Sequence, residues 1–186
     1  MSIKLRSWFR AGVLAVILST ALFLGSGIAY ADTQGTPEWN DLVGIFSEDG
    51  RVRLDVGIRA MKEEVPASHE SWATRLVIKR LDGPSFGPVE PDHLVGIFSE
   101  DDRVRLDVGI RAMKEEVPAS HESWATRLRI VPLNELALGS ITYGTVVGVF
   151  SEDGRVRLDV GIRAMQEEVP ASHDSWATRL QLRKLL

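Results

Sequence analysis

The sequence predicts an all-β protein of three near-identical tandem repeats, each a β-hairpin plus a third strand. A closed threefold arrangement, trefoil- or prism-like, is favoured over beads on a string. Three observations carry this reading. The stretch LVGIFSEDGRVRLDVGIRAMKEEVPASHESWATRL at 42–76 recurs at 94–128 and 146–180, a step of 52 residues, and self-similarity at a fixed period is settled before any other feature. Within it, Arg51 to Arg59 alternates polar and apolar residues without a break, the period of a half-buried strand. Each copy, 42–81, 94–133 and 146–186, spans about 40 residues, near the lower limit for burying a sufficient core without disulfides or metal. The chain has no cysteine, so the copies are expected to lean on one another.

The copies are almost invariant. The first two differ over these positions only at Gly50 versus Asp102, and the third differs from the first at Val146, Val149, Gln166 and Asp174. The spacers, 82–93 and 134–145, share a length and little else beyond the phase-matched Gly35, Gly87 and Gly139. A glycine surviving such divergence suggests a turn with positive φ.

In each copy the order is strand, turn, strand, loop, strand. Val43 to Phe46 is β-prone, and Ser47-Glu48-Asp49-Gly50 is a hairpin signal. A two-residue turn at Asp49-Gly50 sets Ile45 opposite Leu54, Val43 opposite Val56 and Glu48 opposite Arg51. Asp102 in the second copy tolerates the left-handed backbone at a cost of about 1 kcal/mol. After Met61, KEEVPASHES reads as a loop, broken by Pro66 and opening with a helical turn at Ala60 to Glu64. Trp72, Thr74, Leu76 and Ile78 then fall on one face of a third strand. The outer position between the last two accepts Val77, Arg129 and Gln181, which requires one buried face and one free one. A helix over 66–81, with Trp72 and Leu76 four apart, is the alternative. A fourth strand is possible in SITYGT of the second spacer and disfavoured in the proline-broken first.

The first 31 residues read as an export signal. Lys4, Arg6 and Arg10 precede an apolar run from Ala11 to Ile28, and Ala29-Tyr30-Ala31 suits signal peptidase. Residues 32–41 form a polar lead. Export without cysteines fits a bacterial envelope or medium. Cleavage removes three cations and no acids, leaving 19 against 26 and a net charge of −7. That balance argues against nucleic acid as a partner, and the cleaved chain carries no membrane anchor. A retained signal acting as an anchor is the alternative.

Candidate binding residues come from two polar surfaces. The outer hairpin face carries Phe46 and Arg53, repeated as Phe98 and Arg105 and as Phe150 and Arg157. An exposed aromatic beside a guanidinium grips a sugar ring, a carboxylate or a partner strand; packing of this face against a neighbouring copy is the alternative. The loop adds His69 and Glu70, repeated as His121 and Glu122 and as His173 and Asp174. Neighbouring side chains diverge, so Ser68-His69-Glu70-Ser71 cannot form a nucleophile relay by itself, and GxSxG, HExxH and phosphate-loop motifs are missing. No catalytic residue, cofactor or metal is predicted. Three histidines around an axis would suit zinc or copper only if the fold brings them together, and the acidic loops lack a calcium ladder. Trp72, Trp124 and Trp176 are expected in the core, with Trp39, Phe86 and Tyr143 as exposed aromatics.

The function expected is that of an exported, non-catalytic, multivalent binding module for a glycan, peptide or envelope component. The alternatives are a structural spacer of the envelope and a hydrolase using the histidine loop.

Overall fold

The structure, a computed structural model, describes residues 35–91, 93–133 and 141–185. The export segment 1–31 and Gly139 lie outside these residues. Each copy contributes two barrel strands: β1 (Leu42–Ser47) and β2 (Leu76–Arg80), β3 (Val95–Ser99) and β4 (Leu128–Pro132), β5 (Val146–Ser151) and β6 (Leu180–Lys184). All neighbours are antiparallel, and β1 closes on β6 to make a six-stranded barrel.

The longest ladders run between copies. Five residue pairs join β1 to β6, β2 to β3 and β4 to β5, whereas β1 meets β2 of its own copy at only two. Period-two alternation sends two residues of every strand inward. Val43, Ile45, Leu76 and Ile78 and their equivalents are at most 1% exposed and form one continuous core. This excludes beads on a string, because a lone copy would lose most of its sheet.

The hairpin keeps its expected register, with Phe46 bridged to Arg53 and the Leu54 N–H donating to the Ile45 carbonyl at 2.7 Å. Its turn is wider than predicted. The last bond joins Ser47 to Val52, Gly50 N–H closes onto the Ser47 carbonyl, and Glu48 does not pair with Arg51. The φ angles of Gly50, Asp102 and Gly154 are 70°, 58° and 69°, so aspartate does adopt the left-handed conformation. Glu48 instead hooks the third copy: its N–H donates to the Arg179 carbonyl at 2.7 Å and its carboxylate pairs with the Arg179 guanidinium. Glu100 on Arg75 and Glu152 on Arg127 repeat the hook around the ring.

The second strand predicted over Arg51 to Arg59 is shorter. It bridges Val52 to Pro66, forming a three-membered ribbon with the loop. Pro66 sits at a pair whose ladder bonds come from Arg53 and Ala67 on either side, so its missing N–H costs nothing. After Gly57 the chain turns into a 3-10 helix at Ile58–Met61, ending the alternation and leaving Ile58 56% exposed. The third strand starts at Leu76. Trp72 to Arg75 form a turn fixed by Thr74 Oγ1, which accepts the Ser71 N–H at 2.9 Å, so Trp72 does not share the inward phase. SITYGT makes a turn over Thr142 to Thr145 and no strand among its described residues.

The divergent lead and spacers still fill one place. Pro37, Val89 and Ile141, spaced by 52 residues, are all buried, and Trp39 and Tyr143 join the core at 6% and 5% exposure. Neither is the exposed aromatic expected; Phe86, at 83% exposure, is.

Because the sheet is shared, unfolding is expected as one transition. Calorimetry should give equal calorimetric and van't Hoff enthalpies, and limited proteolysis around Pro84 to His93 should release no stable fragment of one or two copies.

Candidate functional site

The outer hairpin face is not an exposed surface. Arg53 is 2% exposed, and its Nη1 and Nη2 donate to the His69 and Thr74 carbonyls at 2.8 and 2.9 Å. Its guanidinium lies 4.9 Å over the buried Phe46 ring. Arg105 and Arg157 repeat the arrangement with the carbonyls of His121 and Thr126 and of His173 and Thr178, over Phe98 and the half-buried Phe150. Each copy therefore brings its phenylalanine, arginine and histidine loop together as a pin that folds the loop onto the barrel. Gly44 makes the pin possible, since a Cβ there would meet the Phe46 ring at 2.5 Å. Burial of the cation pulls the Arg105 and Arg157 pKa values down from the usual value.

The histidines are half-buried and stay in their own copies. Arg59 Nη1 lies 3.0 Å from His69 Nδ1, and Arg111–His121 and Arg163–His173 match it. A guanidinium only donates, so the ring nitrogen that faces it is the acceptor of this contact. The three rings do not line the threefold axis, so the symmetry-related metal reading loses its geometric basis. Glu70 and Glu122 are exposed, while Asp174 reaches Arg157 at 3.2 Å and Arg179 at 3.8 Å.

Trp72, Trp124 and Trp176, expected in the core, are 37%, 37% and 38% exposed. Each lies at a junction between copies beneath a guanidinium of the next: Arg103 at 5.0 Å, Arg155 at 5.4 Å and Arg51 at 5.2 Å from the ring centroids. At the junction of the third and first copies, Trp176, Arg51, Val52, Glu64 and Pro66 line a shallow groove of about 320 Å³. Glu64 also ties the copies together there, accepting the Ile162 N–H at 3.0 Å, as Glu116 and Glu168 do for Ile58 and Ile110. The groove is composite, so the pattern within one copy could not reveal it.

A second opening lies at the hairpin end of the barrel. The same nine positions of all three copies line one cavity of about 90 Å³, which therefore sits on the threefold axis. Asp55, Asp107 and Asp159 are among the lining residues and are at most 5% exposed. Burial raises their pKa values, outweighing the Gly57, Gly109 and Gly161 N–H donors and the nearby histidines and arginines.

A six-stranded barrel with three hairpins gathered at one end defines the trefoil class rather than a prism of separate sheets. Among solved structures the chain is similar to an SDF2-like protein from Arabidopsis thaliana, with a TM-score of 0.57, 10% identity and coverage of 80% of this chain and 94% of that one. It is also similar to ThreeFoil, a designed threefold-symmetric protein, with a TM-score of 0.51, 12% identity and coverage of 77% and 99%. Identities this low carry the fold and nothing further. Neither a known family model nor a curated protein matches the chain.

Two substitutions test the pin and the buried acids. Arg105→Leu strands two loop carbonyls and is expected to cost about 3 kcal/mol in a denaturant titration. For the aspartates, a folded pKa above the unfolded value means that the native state holds more protons between the two. Stability therefore falls as pH rises from the unfolded to the folded pKa, and the full penalty stands above the folded value. Asp107→Asn keeps an oxygen for the Gly109 N–H and removes that penalty. Its melting temperature should exceed the parent's at pH 7, and the gain should vanish below the usual aspartate pKa of about 3.9.

Proposed function

We propose that the protein is an exported, non-catalytic, multivalent binding module of a bacterial envelope or its surroundings, with a glycan as the favoured ligand over a peptide or other envelope component. The supporting observation is the trio of half-exposed tryptophans at equivalent copy junctions, each beside the next copy's arginine. An indole offers a flat apolar face to the C–H side of a sugar ring, while a neighbouring guanidinium and carboxylate supply hydrogen bonds to hydroxyls. Glu70, Glu122 and Asp174, two residues before each tryptophan, extend the polar rim. The exported location rests on the basic, apolar and small-x-small pattern of residues 1–31.

Three weak sites on one rigid body gain avidity against a repetitive ligand, by as much as about 10²- to 10⁴-fold where spacing permits. On this reading Phe46 and Arg53 and their equivalents hold the recognition loop in place, and the ligand meets the tryptophan edge of that loop.

The test is a glycan array followed by calorimetry on the purified protein. With a glycan that binds, Trp124→Ala should lower the stoichiometry from three per chain to two without lowering the melting temperature. An unchanged stoichiometry places recognition elsewhere on the molecule.

A further inference from the structure

The axial cavity is distinct from the junction groove, sharing no lining residue with it. Since it is lined by the same positions of every copy, it encloses the axis and there is one per chain. Leu54, Val56 and Val65 and their equivalents are at most 9% exposed and form its deep wall, while the partly exposed Ala60 and Met61 stand nearer the mouth.

Its lining is compact and mostly apolar, with the arginine and aspartate side chains of each copy set among the aliphatic ones. A water needs only about 10–15 Å³ of such space, and an engineered apolar cavity of about 150 Å³ accepts benzene or xenon. At about 90 Å³, this one is large for a water and small for an aromatic ring. Three identical walls favour an occupant that presents similar surfaces in three directions, such as a branched aliphatic end.

The charged lining groups are already matched within the protein. Glu63, Glu115 and Glu167 pair with Arg59, Arg111 and Arg163 at 2.6 to 2.7 Å. The arginines of the pin donate to loop carbonyls, and each buried aspartate accepts a glycine N–H at 2.7 Å. Cations and carboxylates thus stand in equal number around the cavity, three pin arginines against three buried aspartates, with each glutamate paired to its own arginine.

The mouth continues the apolar surface. Ile58 and Met61 are three apart in the 3-10 helix, where residues i and i+3 eclipse, so they share a face. Ile58, Ile110 and Ile162 are 56%, 56% and 61% exposed, an unusual cost for β-branched aliphatic side chains in a fold that buries its other repeated aliphatics. They offer exposed apolar surface one residue beyond Gly57, Gly109 and Gly161 of the lining, and the unbranched methionines can adjust to a ligand's shape.

We propose that the axial cavity is a binding site for one compact, neutral, branched aliphatic group per chain, independent of the three tryptophan sites. Met61, Met113 and Met165 are three of the four methionines in the sequence and all line the cavity, so methionine methyl labels report on it directly.

The experiment is a titration of the full chain, labelled with ¹³C at the methionine methyls, with 3,3-dimethylbutan-1-ol and separately with choline, its cationic isostere. The alcohol should shift Met61, Met113 and Met165 along one shared binding curve and show intermolecular Overhauser contacts to all three methyls. Choline should bind more weakly by about tenfold or more, the cost of desolvating an uncompensated cation. Ala112→Leu, which fills the cavity from one wall, should abolish the response of all three methyls at once, whereas Trp124→Ala should leave it unchanged. No shift with the alcohol overturns the proposal, as does tighter binding of choline. Loss of the Met113 response alone in Ala112→Leu would also overturn it, because that means three separate sites. The Overhauser contacts on the parent protein decide the matter if the variant does not fold. The glycan reading is unaffected by any of these results.

Discussion

The structure depends on the pairing of each copy's first strand with the last strand of the copy before it. That ladder is five residue pairs long at all three junctions, while a copy contributes only a short ladder to itself. A single copy thus brings the two sides of a barrel wall but not the wall. The hooks reinforce the same junctions: the turn residue of one copy bonds both backbone and side chain of the preceding arginine. Exposed ion pairs contribute little by themselves, about 0–1 kcal/mol, so the backbone bonds and shared core do most of the holding, and the ion pairs contribute to selecting the register.

That constraint explains why the class of fold was legible in the chain and much of the surface was not. Period, length and alternation report on what one copy does, and they gave the all-β class, the hairpin register and the need for mutual support. The inward residues Val43, Ile45, Leu76 and Ile78 were readable because a barrel strand alternates whichever chain it pairs with. Trp72 was misread because a turn stabilised by Thr74 precedes the strand, and an extrapolated alternation cannot see where regular pairing starts. Arg53 was misread for a different reason. Its charge suggested water, but two backbone carbonyls and an aromatic face satisfy it inside, and only Gly44, two residues before Phe46 on the same strand face, hinted that a ring folds back there. The junction groove was not legible at all, since its tryptophan and its arginine belong to different copies.

Buried charge is then a structural choice repeated three times. A guanidinium enclosed at 2–5% exposure is costly unless its donors are satisfied, and here the acceptors are the carbonyls of a loop that lacks regular secondary structure. The pin converts that cost into loop order: removing the cation would leave the carbonyls unmatched and free the loop. The loop's edge carries Glu70 and Trp72, so an interior interaction fixes the posture of that surface. In the third copy the shorter Asp174 adds an ion pair to the pin itself, reaching Arg157 as well as Arg179.

The divergence of the spacers follows from the same geometry. They lie outside the inter-copy ladders, so most of their residues are free to differ, yet Pro37, Val89 and Ile141 keep one buried apolar position at the repeat phase. Threefold symmetry is thereby strict where the copies pair and relaxed where they are merely connected. A symmetric body has two kinds of place to receive a ligand, off the axis in triplicate or on it once. Off-axis sites gain from repetition, so near-identity of the copies suits a ligand that is itself repetitive. The axial cavity instead receives a third of its wall from each copy, so one divergent copy would alter the whole site, and near-identity of the copies preserves both kinds of place together.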